Sequence, residues 1–456
     1  MSAPDYSMKG DLTKGSISAH LVRLTIPMIW GILAIVSFQL VDTWYISMLG
    51  TAELAAISFT FPVTYILFSL VMAQGIAASS VLSRLIGKGN PSRVKRVATH
   101  SILFAFISGI VFAVVGLMGL EPLFRLMGAS DAMMPIIKDY MTIWLAGSIF
   151  LTIPMVGNSG IRATGDTKTP AMIMTTAAVS NALLAPVLVF GLFGFPRLEV
   201  QGAALATLLA NIGTTIAALY VLYYKKKMIS RSRWHLSLFG DSVKKLLVIT
   251  IPVSIASIMQ PVAGAFITSL LAAHGEMAVA AFGIVSRVEA FTFVVIMALA
   301  TGMAPVIGQN WGAGHYERVQ ETLMTAIRFS VIWSIATAVV LIAAAEPIAR
   351  AFTDEPEVIH YTILYLWIVP ATYWLGNLVQ GWSSAFNAMG LPKQSFVMIF
   401  IKLIAMTIPA AMIGSHLYGV AGIFMALALV NVISGIGFHL MNLNICRKKQ
   451  ANPALA

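Results

Sequence analysis

Charge is scarce in this chain. Only 10% of its 456 residues are Asp, Glu, Lys or Arg, against about 25% in an ordinary soluble domain, which excludes a water-facing globular fold. Cysteine is almost missing: the single one, Cys446, rules out an intramolecular disulfide and a cysteine-rich metal site. The eight histidines are scattered and no His-Glu-x-x-His segment occurs, which argues against a metal enzyme. A Gly-x4-Gly-Lys-Ser/Thr phosphate loop is also absent, because GKGNP at 87–91 lacks both the spacing and the strand-to-helix setting. ATP hydrolysis within the chain is therefore disfavoured, and no enzyme activity or cofactor is expected. Residues 1–19 are polar and the first apolar run is too long for a cleaved signal, so the first span is expected to be retained.

What the chain does contain is apolar sequence, 58% of the residues. A helix needs about 20 apolar residues to cross roughly 30 Å of hydrocarbon. Such stretches recur near 20–48, 53–83, 97–120, 134–156, 169–194 and 199–224, and after a basic segment near 246–273, 277–307, 320–345, 358–381, 394–415 and 418–445. The expected fold is an all-α polytopic membrane protein with 12 transmembrane helices. The net charge of +11 invites a nucleic-acid reading, but the positions of the basic residues argue for topology instead. Of the 29 Lys and Arg, 22 lie in the termini and the loops after even-numbered spans, and only Arg125, Lys138, Arg197 and Arg350 lie in the opposite loops. The positive-inside rule then puts both termini in the cytoplasm of a cell with an inner membrane, with lipid and not nucleic acid as the surrounding partner.

The two halves match at a constant offset of 225 residues. Thr25-Ile26-Pro27 recurs as Thr250-Ile251-Pro252, and Gly87, Gly89, Arg93 and Val94 recur as Gly312, Gly314, Arg318 and Val319. Ala163, Gly165 and Lys168 recur as Ala388, Gly390 and Lys393. Gly, Arg and Lys in loops are not explained by the limited alphabet of apolar helices, so duplication is the better account. The expected domains are residues 1–224 (helices 1–6), a basic cytoplasmic linker 225–245, and residues 246–456 (helices 7–12). Repeats of six spans begin on the same side of the membrane and are related by an axis along its normal.

Only two of the 18 carboxylates, Asp42 and Glu289, sit well inside predicted spans. A carboxylate at that depth costs roughly 2.5–3.5 kcal/mol and commonly marks an ion or substrate path. Asp42 shares a helix face with Gln39 and adjoins Thr43. Arg287 precedes Glu289 by two positions and points to nearly the opposite side, so Lys402 is the expected ion-pair partner of Glu289. Asn158, Asn181, Thr207, Asn211, Gln260 and Asn377 are further polar positions in or at the ends of spans, where such side chains commonly link helices.

VDTWYISMLGTAELAAIS at 41–58, IRATGDTKTPA at 161–171, SRVEAF at 286–291, IGQNWGAGHYERV at 307–319 and NAMGLPKQ at 387–394 resemble the multidrug and toxic compound extrusion family, from about residue 15 to 445. The resemblance implies two six-helix lobes with pseudo-two-fold symmetry around a V-shaped central cavity. It also implies export of organic, cationic, amphipathic compounds in exchange for H⁺ or Na⁺. The family's first-helix aspartate falls on Asp42, and the Asn of its Asn-x3-Asp-Pro pattern falls on Asn181, with Ala185 where the Asp would stand. The implied coupling-ion site is Asp42, Asn181, Asn158 and Thr207, with Na⁺ possible at Asp42 and Asn181. With Gln260 and Asn377 at the family's acidic carboxy-lobe positions, Asp42 becomes the principal coupling residue and H⁺ is slightly favoured. Gln39, Tyr45, Gln260, Glu289 and Asn377 are the candidate cavity residues of a monomeric transporter. Competing expectations are a flippase for lipid-linked glycans, for which only Arg287, Arg328 and Lys402 are intramembrane cations, and a channel or non-transporting scaffold.

Overall fold

A computed structural model describes residues 11–229 and 236–443; Cys446, the ends of both termini and part of the basic linker lie outside the described residues. The chain order is α1 (Ile17–Ser47), α2 (Thr51–Gly87), α3 (Pro91–Leu126), α4 (Met134–Ala146), α5 (Ser148–Ala163), α6 (Lys168–Phe190) and α7 (Glu199–Tyr220). It continues with α8 (Leu236–Ala272), α9 (Glu276–Ala313), α10 (Tyr316–Ala343), α11 (Ala345–Phe352), α12 (Pro356–Ile368), α13 (Tyr373–Met389), α14 (Pro392–Phe400) and α15 (Ile408–Asn442). Apolar helices with satisfied backbone are the form that lipid permits.

Among the described residues ten helical stretches are long and apolar enough to span a bilayer, and α4 with α5, bent by 44° at Gly147, makes an eleventh. The twelfth crossing is concealed in the 51-residue stretch Pro392–Asn442, which at 1.5 Å per residue would be more than twice as long as a bilayer is thick if straight. It is not straight. Tyr418 and Gly419 leave helical geometry, Gly419 with φ 59° and ψ −136°. Gly414 and Gly422 consequently face each other so closely that a methyl on either would collide with the other's carbonyl. The stretch is a helical hairpin, and the predicted spans 11 and 12 are its arms.

The glycines repeated between the halves have a backbone reason. Gly89 and Gly314, one repeat apart, have φ of 66° and 79°, and Gly165 and Gly390 have 80° and 78°. Left-handed geometry of this kind is strained for any residue with a Cβ. At the first of these turns Asn90 caps α3 by accepting the Arg93 amide at 3.1 Å, with Pro91 in the first turn.

Contacts divide the chain into two compact units. One contains Ile26–Thr250 and the other Leu12–Thr25 with Ile251 onward. The division therefore falls inside both Thr-Ile-Pro motifs rather than in the basic linker. In the first unit, Ile46, Val71, Phe124, Ile137, Met141 and Leu145 are fully or nearly buried in one cluster. The base of α8 belongs to this unit as well, with His100 Nδ1 at 2.9 Å from Ser242 Oγ. In the second unit the base of α1 contributes Ile17 and Leu21 to a cluster with Met303, Leu323, Trp382 and Phe386. Leu12 is sealed there, its amide donating to Gln309 Oε1 at 3.1 Å and its carbonyl accepting from Asn310 Nδ2 at 3.0 Å. Arg318 donates to Asn310 Oδ1 at 3.1 Å and to the Gly15 carbonyl at 3.0 Å, closing the clamp.

Candidate functional site

Helix α1 brings Asp42 against α6. The two helices run side by side: Gly31 lies on Ala171, where a Cβ would sit 3.1 Å from the Ala171 Cα, and Tyr45 donates its hydroxyl to the Ala182 carbonyl at 3.3 Å. Between these two contacts the turn of α1 carrying Asp42 runs level with the turn of α6 carrying Asn181. Asn181 is 2% exposed and its amide donates to Thr207 Oγ1 on α7 at 3.1 Å, which leaves its own Oδ1 as an acceptor for something else. Asp42 Oδ1 is closed off from its surroundings and has no hydrogen-bond partner. A buried carboxylate oxygen without a donor is costly, which makes Asp42 the candidate ionisable group of the first unit. Tyr140 on α4 lies within electrostatic reach of Asp42.

Thr207 faces two ways. Besides Asn181 it lines a small cavity of about 10 Å³ with Trp144, Gly147, Leu151, Ala204 and Asn211, enough for about one water molecule. Among the described residues no group of three or more His, Cys, Asp or Glu exists that could hold a metal ion. Oxygen ligands for a hard monovalent cation at this place would come from Asp42, Asn181 Oδ1 and Thr207.

Asn158 does not join this group. Its neighbour Gly157 packs on Ala218 and Leu222, whereas Thr207 lies one residue from Leu208, which packs on Gly147. The 11 residues separating Thr207 from Ala218 correspond to roughly 16 Å of helix. Asn158 Oδ1 is buried without a partner at that other level. The motif before IRATG thus lies too far along α5 to share a ligand with Asp42.

The candidate cavity residues also separate. Gln39 is exposed, and only its backbone carbonyl is used, accepting from Thr43 at 2.8 Å. Tyr45 is committed to Ala182 and meets Phe190 edge-on at 6.2 Å. Gln260 is exposed on α8, and Asn377 donates to Ser334 at 2.9 Å, tying α13 to α10. The expected ion pair of Glu289 with Lys402 does not form. Lys402 Nζ donates to the Gly376 carbonyl at 3.3 Å, and Glu289 Oε1 instead accepts from Tyr365 at 2.7 Å and from Tyr373 at 2.5 Å. Lys402 sits in a π-helical stretch, Ile401–Thr407, and reaches the α13 backbone at Gly376. Tyr140, Tyr365 and Tyr373 were invisible to a reading by local spacing, because each lies far along the chain from its carboxylate. The only signal was the carboxylate's own need for a donor.

At the loop between α5 and α6, Asp166 and Lys226 form an ion pair at 2.7 Å with side chains 19% and 23% exposed. Burial alone would raise the Asp166 carboxyl, but the hydrogen bonds from Lys226 and Thr169 outweigh it and hold the group below its ordinary value.

Comparison with known proteins agrees with the architecture. The family model described as MatE matches twice, at residues 27–187 and 252–413, which reproduces the internal offset. A Shewanella oneidensis protein named FAD transporter is 37% identical over 443 residues, covering 97% of this chain and 98% of its own. A Bacillus subtilis protein named probable multidrug resistance protein YoeA is 26% identical, covering 88% and 87%. The crystal structure of the Vibrio cholerae MATE transporter VcmN in its bent form superimposes with a TM-score of 0.90 at 30% identity, covering 95% of this chain and 98% of that one. With two family-model matches and a fold shared over nearly its whole length, the chain belongs to the MatE family of membrane transporters.

Proposed function

We propose that this transporter is a secondary active antiporter that exports organic cations in exchange for H⁺, with Asp42 as the coupling group. The observation that carries the reading is the sealed, partnerless Asp42 Oδ1 level with Asn181. A proton needs only one such oxygen. Na⁺ needs several arranged around it, and Ala185 stands where a second carboxylate would help. Asn181 and Thr207 act as polar neighbours that settle the Asp42 charge when the proton leaves. Entry of one proton for exit of one monovalent cation moves no net charge, so the membrane potential, worth about 2.3 kcal/mol per charge per 100 mV, does not drive that exchange. Both termini are assigned to the cytoplasmic side of an inner membrane from the distribution of Lys and Arg.

The test is efflux of ethidium from proteoliposomes under imposed pH and Na⁺ gradients, for the wild type and Asp42→Asn. Efflux driven by the pH gradient and lost in the variant supports the reading. Efflux equal in both sinks it. A second reading, transport of a flavin dinucleotide, is favoured by the name of the 37% identical relative. FAD carries two phosphates, so it predicts uptake of labelled FAD into the same vesicles with no competition by ethidium.

A further inference from the structure

We propose that the carboxy-terminal end of α7 is a docking site for an anionic phospholipid headgroup, held by Lys225 and Lys227 beside an exposed pair of tyrosines. The proposal goes beyond the transport reading and does not depend on which substrate is exported. The end of a span lies at a membrane face in either orientation of the chain.

Three consecutive lysines leave α7, and they do not share one fate. Lys226 turns inward to Asp166 at 2.7 Å, its side chain 23% exposed. Lys225 and Lys227 are exposed, and neither has a hydrogen-bond or ion-pair partner among the described residues. The carboxylate bonded to this segment, Asp166, is already shared between Lys226 and Thr169. The next acidic residue along the chain is Asp241, after Arg231 and Arg233.

The backbone holds the two free lysines in place. The last turn, Val221–Lys225, is π-helical, and the Lys226 amide donates to the Val221 carbonyl at 2.8 Å. Beyond it the Met228 amide donates to the Leu222 carbonyl at 2.9 Å, and Met228 is 1% exposed. Between these bonds Lys227 takes a φ of 51°. That is the left-handed position closing a helix, which glycine usually fills. A lysine is strained there, and strain of this kind concentrates at functional positions. Attraction to the carbonyl end of a helix accounts for a cation in the last turn, and Lys225 and Lys226 already supply it. It gives no reason for a lysine at the left-handed position.

Aromatic rings adjoin the lysines. Tyr220 and Tyr224 are 53% and 63% exposed with ring centroids 5.2 Å apart, and Tyr223 meets Tyr224 edge-on at 4.7 Å. Exposed tyrosines at the end of a span suit the interface, where the ring is apolar and the hydroxyl reaches the headgroups. Free ammonium groups next to them attract lipid phosphate, each lysine strengthening attachment to an anionic surface about fivefold.

The experiment titrates delipidated full-length protein in a neutral detergent with dioleoylphosphatidylglycerol, dioleoylphosphatidylcholine or inorganic phosphate. It reads the thermal unfolding midpoint and the lipid retained in native mass spectra. Phosphatidylglycerol should raise the midpoint and be retained, whereas phosphatidylcholine should do neither. Lys227→Gly should leave the lipid-free midpoint equal to or above wild type, because glycine suits the cap. The phosphatidylglycerol concentration giving half of the shift should nevertheless rise about fivefold in that variant, and more than about tenfold when Lys225→Gln is added. Lys88→Gln, an exposed lysine at the end of α2, should leave it unchanged. A wild-type response in the double variant overturns the site, as does an equal response to phosphatidylcholine. Equal loss of the response in Lys88→Gln reduces the effect to net charge and also overturns it. A response to inorganic phosphate that matches phosphatidylglycerol and disappears in Lys227→Gly moves the ligand to free phosphate and rejects the lipid. If the double variant does not fold, an unchanged response in Lys227→Gly is sufficient to reject the site.

Discussion

Tyr45 donates its hydroxyl to the carbonyl of Ala182 at 3.3 Å, and this bond pins the turn of α1 that carries Asp42 beside the turn of α6 that carries Asn181. The bond acts on position and not on charge. Tyr45→Phe should therefore leave pH-driven ethidium efflux measurable while lowering stability by about 1 kcal/mol, the usual cost of one lost hydrogen bond. A thermal melt in detergent, read beside transport rates, separates the two effects.

Asn181 is expected to matter more for coupling than for folding. Asn181→Leu keeps the volume and removes both the Thr207 bond and the amide oxygen on the turn level with Asp42. The coupled efflux rate should fall about tenfold, equivalent to about 1.4 kcal/mol in the barrier. Asn158→Leu, roughly 16 Å away along the helices, should leave the pH dependence of transport unchanged. Equal loss of pH dependence in both variants would refute the separation.

The Asp166–Lys226 pair makes a pH-dependent contribution to stability with a definite sign. The folded-state carboxyl is held below its ordinary value, so the contribution is complete above about pH 4, the range of a free carboxylate, and is lost as pH falls through the lower folded value. Lys226→Met should lower the melting temperature at pH 7, by about 1–2 kcal/mol in stability. The difference from wild type should shrink toward pH 3. A difference that grows on acidification would reverse the assignment.

The hairpin at Tyr418–Gly419 sets a steric limit. Gly422→Ala places a methyl against the Gly414 carbonyl, and neither partner is a flexible side-chain end that can yield. Destabilisation of about 2–4 kcal/mol is expected, visible as aggregation in detergent size-exclusion chromatography. Gly437→Ala, with open space around its Cβ position, should behave as wild type.

Much of the fold was legible because lipid simplifies the problem. A run of about 20 apolar residues has one stable form there, so the spans, the repeat and Asp42 as a buried charge could be read residue by residue. The hairpin is legible in the sequence as two apolar spans, 394–415 and 418–445, although the helical stretch that holds them is nearly continuous. Pairing was harder. Charge and depth along the chain point to Lys402 as the partner of Glu289, but Tyr365 and Tyr373 have the geometry. Neutral hydroxyls satisfy a carboxylate without the expense of burying a second ion, and nothing in local spacing distinguishes such tyrosines from packing residues.

The amino-acid sequence by itself determined that this protein is a duplicated bundle of membrane-spanning helices with a lone carboxylate in its first span, because hydropathy, charge placement and repeat offset are properties of the chain alone. Tertiary structure decided which polar side chains meet. It set Asp42 level with Asn181, removed Asn158 from their company, gave Glu289 to two tyrosines, and joined the base of α1 to Gln309, Asn310 and Arg318. The physical reason is that helix-to-helix register depends on close contacts such as Gly31 on Ala171, and no single segment contains the information about its neighbour's depth.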